Sequence, residues 1–595
     1  MHRAERECEE RTANAAENKG VYTMKKFFGY FVSGLFILIL STGLTFADSA
    51  KYASIISYDW KITTDSSIQL TNRDLDISEW DDINIGVSWE RQGYFAASGE
   101  LIIANQFELP GGAYDYSGKK FSIVMNLQCN VSEVYLNGKK IAGKLVFDNA
   151  SPNRLEIPAG EFYPDAQNLL ALRIDTVQWT GGACDNEVGI SHPVFGAPES
   201  VKAAANAGDC LFETSRDMVI NIRHSLNKAS ALKIRSISDF HEQIETINIR
   251  PGQPDGTIEV KLDGGLYRPG FYHIIVSTEA PFYAQDDIWI AVEPERISCG
   301  NSEIPGHKDW WDNTVNELNA ILPKTKLTKL PVEDERKKDV YELQFASFEN
   351  VTIYGYLFVP KKEGKFPAIL HLPGYSQSYD KFSFLENEEE VIELGLCIRG
   401  HGRSTETVNP GFDVPGFVAH NICDYNKYVY RGAYMDCLRA VDILRTLPRV
   451  DDTRIAVFGI SQGGGLSLAT AALAGDKVDI CVALSPFLTD LEHHDDVREV
   501  FQIEKRIAAK AYHCGMEAID TSLNYIDTKN MAAWITASVF YGAGLFDDDC
   551  PPHVGFSTFN KIRSEKTFKL YPAFGHLLFP GWADGREFIK DRFKF

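Results

Sequence analysis

The sequence predicts two all-β sandwiches followed by one α/β domain on a parallel sheet. Residues 48 to about 300 read as short strand-like runs split by turn signals, the patterning of antiparallel β structure. Beyond about residue 303, near-continuous apolar runs alternate with amphipathic helical stretches, which means a parallel sheet covered on both faces. The length, 595 residues, exceeds what one core can serve.

Residues 24–47, MKKFFGYFVSGLFILILSTGLTFA, read as a secretory signal. Lys25 and Lys26 give a positive start, Phe27 to Leu40 an apolar stretch, and Thr45-Phe46-Ala47 a small-x-small cleavage site. The apolar stretch is nearly long enough to span a membrane, but its Gly, Ser and Thr residues favour cleavage. No cysteine follows Ala47 to take a lipid anchor. Residues 1–23 are expected to be a start-site artefact ahead of Met24. The expected location is periplasmic or secreted, with no stable membrane insertion after cleavage.

The first β region, 48–198, includes FSIVMNLQ (121–128), VSEVYL before the Asn137-Gly138 turn, and LLALRIDTV (169–177). A break at GAPESVKAAANAG (196–208) leads to the second, 199–302. There DMVINIRHSL, ETINIRPG, GTIEVKL and GFYHIIVST make one immunoglobulin-like, sandwich-sized unit. In the third region, 303–595, the expected buried strands are FPAILHL (366–372), LGLCIRG (394–400), RIAVFGI (454–460), VDICVALS (478–485) and ASVFYGAG (537–544). Between them, 431–447 places Tyr434, Cys437, Leu438, Val441 and Leu444 on one helical stripe.

The net charge of −22 argues against nucleic acid or an anionic membrane surface as partner. Of eleven cysteines, Cys8 precedes the mature chain and the rest are scattered, without CxxC or Cys/His ligand spacing. No metal site or cofactor is expected. Cys397, Cys437 and Cys481 sit in apolar contexts and read as buried thiols; pairing such as Cys129 with Cys184 stays open.

The chemistry centres on VFGISQGGG, 457–465. RIAVFGI is a strand and GGGLSLATAALAG a helix, so Ser461 lies on a tight turn between them. Gly459 and Gly463 keep the flanks small, and the hydroxyl stands clear of the sheet at a helix N-terminus. A nucleophilic serine needs a base and an orienting acid, here in the chain order Ser, acid, His. His576 follows the strand TFKLYPAF in a loop; His493, His494, His513 and His553 lie in helical or turn stretches and read as surface residues. The acid should follow ASVFYGAG, where Asp547, Asp548 and Asp549 stand together. Periodicity does not choose among them. The oxyanion donors should be the N–H of Gln462 and one from the loop HLPGYSQS, with Tyr375 the choice.

From about residue 305 to the end the chain resembles carbohydrate esterase family seven, the acetyl xylan esterase and cephalosporin C deacetylase group. GISQGGG matches that family's GxSQGGG, RGHG (399–402) its RGQG, and GLFDDDCPP (544–552) its acid loop. PGF (415–417), YVYRGAYMDCLRAVD (428–442) and LSPFL (484–488) also correspond. The resemblance implies an α/β-hydrolase fold, a triad of Ser461, Asp547 and His576, and backbone oxyanion donors at Tyr375 and Gln462. His401 stands where the family has Gln; substrate contact and a structural hydrogen bond are both open to it. Leu577, Leu578 and Phe579 replace the Glu and glycines usual after the base, and Ser376 and Gln377 replace glycines after Tyr375. These positions line the expected pocket entrance.

Residues about 60–195 resemble the galactose-binding-like jelly roll of glycoside hydrolase family two, in VSWERQGY (87–94), FELP (107–110), VSEVYLNGKKIAG (131–143) and NLLALRID (168–175). That implies glycan contact through Trp89, Tyr94 and Trp179, or a rigid spacer with buried aromatics; the spacer is the expectation. The helix-rich 489–535 is expected to cap the pocket.

The expected function is an exported serine esterase removing acetyl groups from an acetylated polysaccharide or oligosaccharide such as acetyl xylan. The alternatives are a short-chain esterase, a small-molecule (cephalosporin-type) deacetylase, or a glycan-binding protein with an inert hydrolase domain. Relatives of the esterase domain tend toward closed multimers, which two added sandwiches would obstruct.

Overall fold

The computed structural model describes residues 53–86, 92, 100–111, 114–127, 129–146, 152–175, 187–214, 217–226, 230–298, 300, 304–331, 337–383, 389–412, 415–497 and 500–595. The signal segment, Trp89, Tyr94, Trp179 and Cys184 lie outside them. Among the described residues no helix is long and apolar enough to cross a membrane.

The first region is all-β. Six antiparallel strands run from Asp81–Asn84 at one edge to Lys139–Ala142 at the other, beside a three-stranded sheet centred on Lys120–Asn126. Ile62 and Ile103 from the large sheet and Phe121, Ile123 and Ile190 from the small one share one apolar cluster. Asn137 and Gly138 both have positive φ (51° and 78°), as a two-residue hairpin turn with matching twist demands. The strand Asn130–Leu136 and its partner Lys139–Ala142 flank it.

The second region, also all-β, has a three-stranded and a five-stranded sheet. The segment 196–208, read as a break, contains the strand Ser200–Ala205, which pairs with Val219–Ser225. Its apolar residues, among them Ile220, Ile234 and Phe271, belong to one cluster with residues of the third region. Phe271 meets Phe556 with ring centroids 5.6 Å apart. The middle region is thus joined to the third through a shared core.

The third region is built on a nine-stranded sheet. Six strands are parallel, in the spatial order Ile392–Cys397, Phe366–Leu372, Val450–Ile460, Ile480–Leu484, Ser538–Gly544, Lys566–Tyr571. Three antiparallel strands, Lys326–Leu330, Lys338–Ala346 and Thr352–Pro360, extend one edge; the expectation of a purely parallel sheet omitted them. The middle of these alternates in burial, the period-two signal of a half-covered antiparallel strand. The expected strand 394–400 is Ile392–Cys397 instead. It stops where His401 N–H turns back to the carbonyl of Ile398 at 3.0 Å.

Every residue of Phe366–Leu372 and Ile392–Cys397 is buried. Side chains on successive residues face opposite sides, so two apolar layers form. Ala456, Phe458, Val482 and Phe540 pack with Ile589 and Phe593 of the helix Phe579–Phe593. Val457, Cys481, Ala483 and Val539 pack on the other side with the helices Val429–Thr446 and Gln462–Ala474. The stripe Tyr434, Cys437, Leu438, Val441 and Leu444 is no more than 1% exposed.

Between Ile480–Leu484 and Ser538–Gly544 lie the helices His494–Val497, Val500–Tyr512 and Met516–Ile526. A disulfide, Cys423–Cys514, ties them to the segment after Phe417–Ala419. The sequence reading did not anticipate that bridge, because its cysteines are 91 residues apart and no spacing rule links them.

Candidate active site

The strands Val450–Ile460, Ser538–Gly544 and Lys566–Tyr571 run parallel in one sheet. The turns after them carry Ser461, Asp547 and His576, so all three residues leave the sheet at the same rim. Open parallel sheets place ligands at this rim.

Ser461 sits at φ 60°, ψ −127°, a conformation that costs a non-glycine residue about 1–3 kcal/mol. Its surroundings hold it there. Ser461 N–H donates to Leu484 O at 2.9 Å, and its carbonyl accepts from Gly465 N at 3.1 Å and Phe487 N at 2.9 Å. The turn also needs its glycines. A Cβ on Gly459 would lie 2.2 Å from the Gly463 backbone, and one on Gly463 only 2.3 Å from Leu372 O. The serine is half-exposed.

Asp547 is fully buried. His576 Nδ1–H donates to it, with both carboxylate oxygens at 3.0 Å. The backbone N–H groups of Asp549 (3.0 Å) and Cys550 (2.8 Å) also donate to Oδ1. Burial raises the cost of the Asp547 charge, but His576 and the Cys550 N–H outweigh it and hold the carboxyl below its ordinary range. Tertiary packing thereby separates the three adjacent aspartates. Asp547 meets the histidine, while Asp548 lines a cavity between the regions.

The Gln462 side chain is a link that the sequence reading, which used only its backbone N–H, missed. It is fully buried. Its Oε1 accepts from Tyr430 OH at 2.8 Å; its Nε2 donates to Pro373 O at 3.2 Å and approaches His401 Nε2 at 3.1 Å. The amide therefore ties the first turn of the helix to the loop 373–375, where Tyr375 lies. Tyr375 is 37% exposed, and its ring meets Phe412 edge-on at 5.1 Å.

His401 is 0% exposed and packs edge-on against Phe412 and Phe417. An amide nitrogen can only donate, so His401 Nε2 accepts and Nδ1–H donates to Arg399 O at 3.3 Å. Burial pushes its pKa down to about 4, keeping the ring neutral. The buried ring meets the same Gln462 amide that donates to Pro373 O. Arg399, next to it, is buried on Asp436 through two contacts, at 2.9 and 3.0 Å. This pair anchors the RGHG loop to the helix Val429–Thr446.

One histidine read as a surface residue, His494, is buried, and another, His553, is half-buried. His494 is 2% exposed against the Phe487 ring. His553 donates from Nδ1 to Asp239 of the middle region at 2.7 Å. Packing against the middle region, which local sequence does not report, covers His553. Among the described residues no group of three His, Cys, Asp or Glu side chains is arranged to hold a metal ion.

A buried carboxylate–imidazole pair, on the rim that also carries a serine strained into a strand-to-helix turn, defines an α/β hydrolase. Residues 300–591 match the family model described as acetyl xylan esterase (AXE1). The match takes in just under half of the chain, its C-terminal part, and the protein is a carboxylic ester hydrolase of the α/β-hydrolase type. The acetyl esterase Axe7A of Xylanibacter ruminicola is 27% identical over 335 residues, 53% of this chain and 72% of that protein. The acetyl xylan esterase from Paenibacillus sp. R4 superposes with a TM-score of 0.46 at 26% identity, covering 50% of this chain and 98% of its own. Acetyl xylan esterase 1 from Thermoanaerobacterium sp. JW/SL YS485 gives 0.44 at 28% identity, over 50% and 96%.

Proposed function

We propose that the protein is an exported serine esterase that removes acetyl groups from an acetylated carbohydrate such as acetyl xylan. One observation carries the mechanism: His576 Nδ1 lies 3.0 Å from both oxygens of the buried Asp547. That contact orients the ring and leaves Nε2 to act as base. Ser461 Oγ attacks the ester carbonyl as His576 takes its proton. The oxyanion is held by the N–H groups of Gln462 and Tyr375, each worth about 3 kcal/mol in such sites. His576 returns the proton to the departing sugar hydroxyl as the ester C–O bond breaks. Water, deprotonated by the same imidazole, then releases acetate from the acyl-serine.

Export is supported by the N-terminal signal pattern and by the Cys423–Cys514 bridge, since disulfides persist in oxidising compartments. The two β regions are proposed as a jelly roll, acting as a spacer, and an immunoglobulin-like sandwich. In the first, a shared apolar cluster between its two sheets supports that arrangement.

A second reading, preference for small or more apolar esters, is favoured by Leu577 and Phe579, which adjoin His576 and are 67% and 75% exposed. The test measures acetate release from acetylated xylan beside hydrolysis of nitrophenyl esters of two, four and eight carbons. Preference for xylan and the two-carbon ester supports deacetylation of carbohydrate. Faster turnover of the eight-carbon ester with no acetate from xylan selects the second reading. Full activity of Ser461→Ala would remove the catalytic assignment.

A further inference from the structure

We infer that the cleft where the three regions meet is a second, non-catalytic carbohydrate-binding site, holding part of a saccharide chain away from the ester; the inference rests on the carbohydrate reading above. The cavity has a volume of about 350 Å³, within the range of small-ligand sites, about 300–1,000 Å³. Ser461, Tyr375 and His576 do not line it, but Asp548, the neighbour of Asp547, does. It therefore adjoins the acid loop without being the reacting pocket.

Its chemistry selects a neutral, hydroxyl-rich ligand. Of the lining carboxylates, Asp59 pairs with Arg235 at 3.1 Å, Asp82 with Lys61 at 2.8 Å and Asp239 with His553 at 2.7 Å, and with Asp548 beside them the lining has no cationic excess to draw an anion. Carboxylates accept hydroxyl protons, while the amide of Gln92 can both donate and accept. Those are the complements of sugar hydroxyls. His273 stacks on Trp289 at 4.7 Å and 7°, and both line the cavity. They supply the flat apolar surface on which the C–H face of a pyranose packs.

The polar walls are already ordered. Asp59 Oδ1 holds Asn84 Nδ2 at 2.9 Å and Arg235 Nη2 at 3.1 Å. Asn84 and Gln92 exchange two further bonds, at 2.7 and 2.8 Å. Asp239 is fixed by His553 of the esterase region. Groups held before binding lose little freedom on binding, and each wall belongs to a different part of the chain. The site exists only when the three regions are docked.

The test uses the full mature chain carrying Ser461→Ala, titrated calorimetrically with xylotetraose, cellotetraose and mannotetraose. One of these is expected to bind, and Arg235→Gln or Asp82→Asn, each added singly, should weaken it at least tenfold. With Ser461 restored, both variants should hydrolyse nitrophenyl acetate within twofold of the parent, which also reports correct folding. Binding by none of the three saccharides, or unchanged binding in both variants, overturns the inference. Saccharide binding without acetate release from acetylated xylan sinks the substrate reading and leaves the cleft standing. Acetate release with no saccharide binding does the reverse.

Discussion

The first β region and the esterase region bury their strands differently. In the esterase sheet, Phe366–Leu372 and Ile392–Cys397 are covered on both faces. In the first β region a strand such as Asp59–Thr63 alternates buried with more exposed residues. A doubly covered parallel sheet leaves its rim as the place where irregular backbone gathers, and there Ser461, Asp547 and His576 emerge. A half-covered sheet has no such forced location. The candidate catalytic residues therefore lie where the doubly covered sheet ends.

The comparison breaks hardest at the acid. Asp547→Asn should reduce kcat for nitrophenyl acetate by roughly 10⁴-fold, because the amide stabilises the wrong imidazole tautomer. An aspartate of the first β region outside the interdomain cleft, such as Asp76, should give no change on replacement by Asn.

The disulfide comes next. Cys423→Ser opens a covalent link across 91 residues and should destabilise the esterase region by on the order of 4 kcal/mol. Calorimetry should show that transition moving down. Among the described residues the first β region has no disulfide, so its transition should stay.

A glycine pair sharpens the contrast. Gly463→Ala drives a methyl toward Leu372 O and should cost about 3 kcal/mol, read from urea midpoints. Gly160→Ala in the first β region meets nothing within 4 Å and should change stability by about 0.5 kcal/mol or less.

The smallest expected effect depends on pH. His401 titrates at about 4 in the folded chain against 6.5 when free. Between those values the unfolded chain binds the extra proton, so stability rises with pH through this window and is lost as pH falls. His401 should account for a loss of about 2 kcal/mol between pH 7 and pH 5. Urea unfolding of His401→Gln should lack that portion; an unchanged pH slope would refute the neutral, buried assignment.

Much of the site was legible because its residues are local. The turn glycines and Ser461 lie within five positions, and the strand before and helix after are strong patterns. The role of Gln462 was half legible: its N–H follows from helix geometry, but its amide grips Pro373, 89 residues away in the chain. The antiparallel edge, 326–360, is harder to read, because its alternating strands carry a weaker apolar signal than the continuous runs of the parallel strands. His553 was misplaced because its partner, Asp239, lies 314 residues away in the chain.

By itself the sequence determined the order of the regions, the strand–serine–helix turn and the short set of partners, because these rest on local periodicity and backbone sterics. The tertiary structure alone decided which of three adjacent aspartates meets His576, that His401 is buried, and that Cys423 finds Cys514. The aspartate and disulfide pairings depend on which surfaces a folded chain brings together, and contact across tens of residues leaves no mark on local pattern.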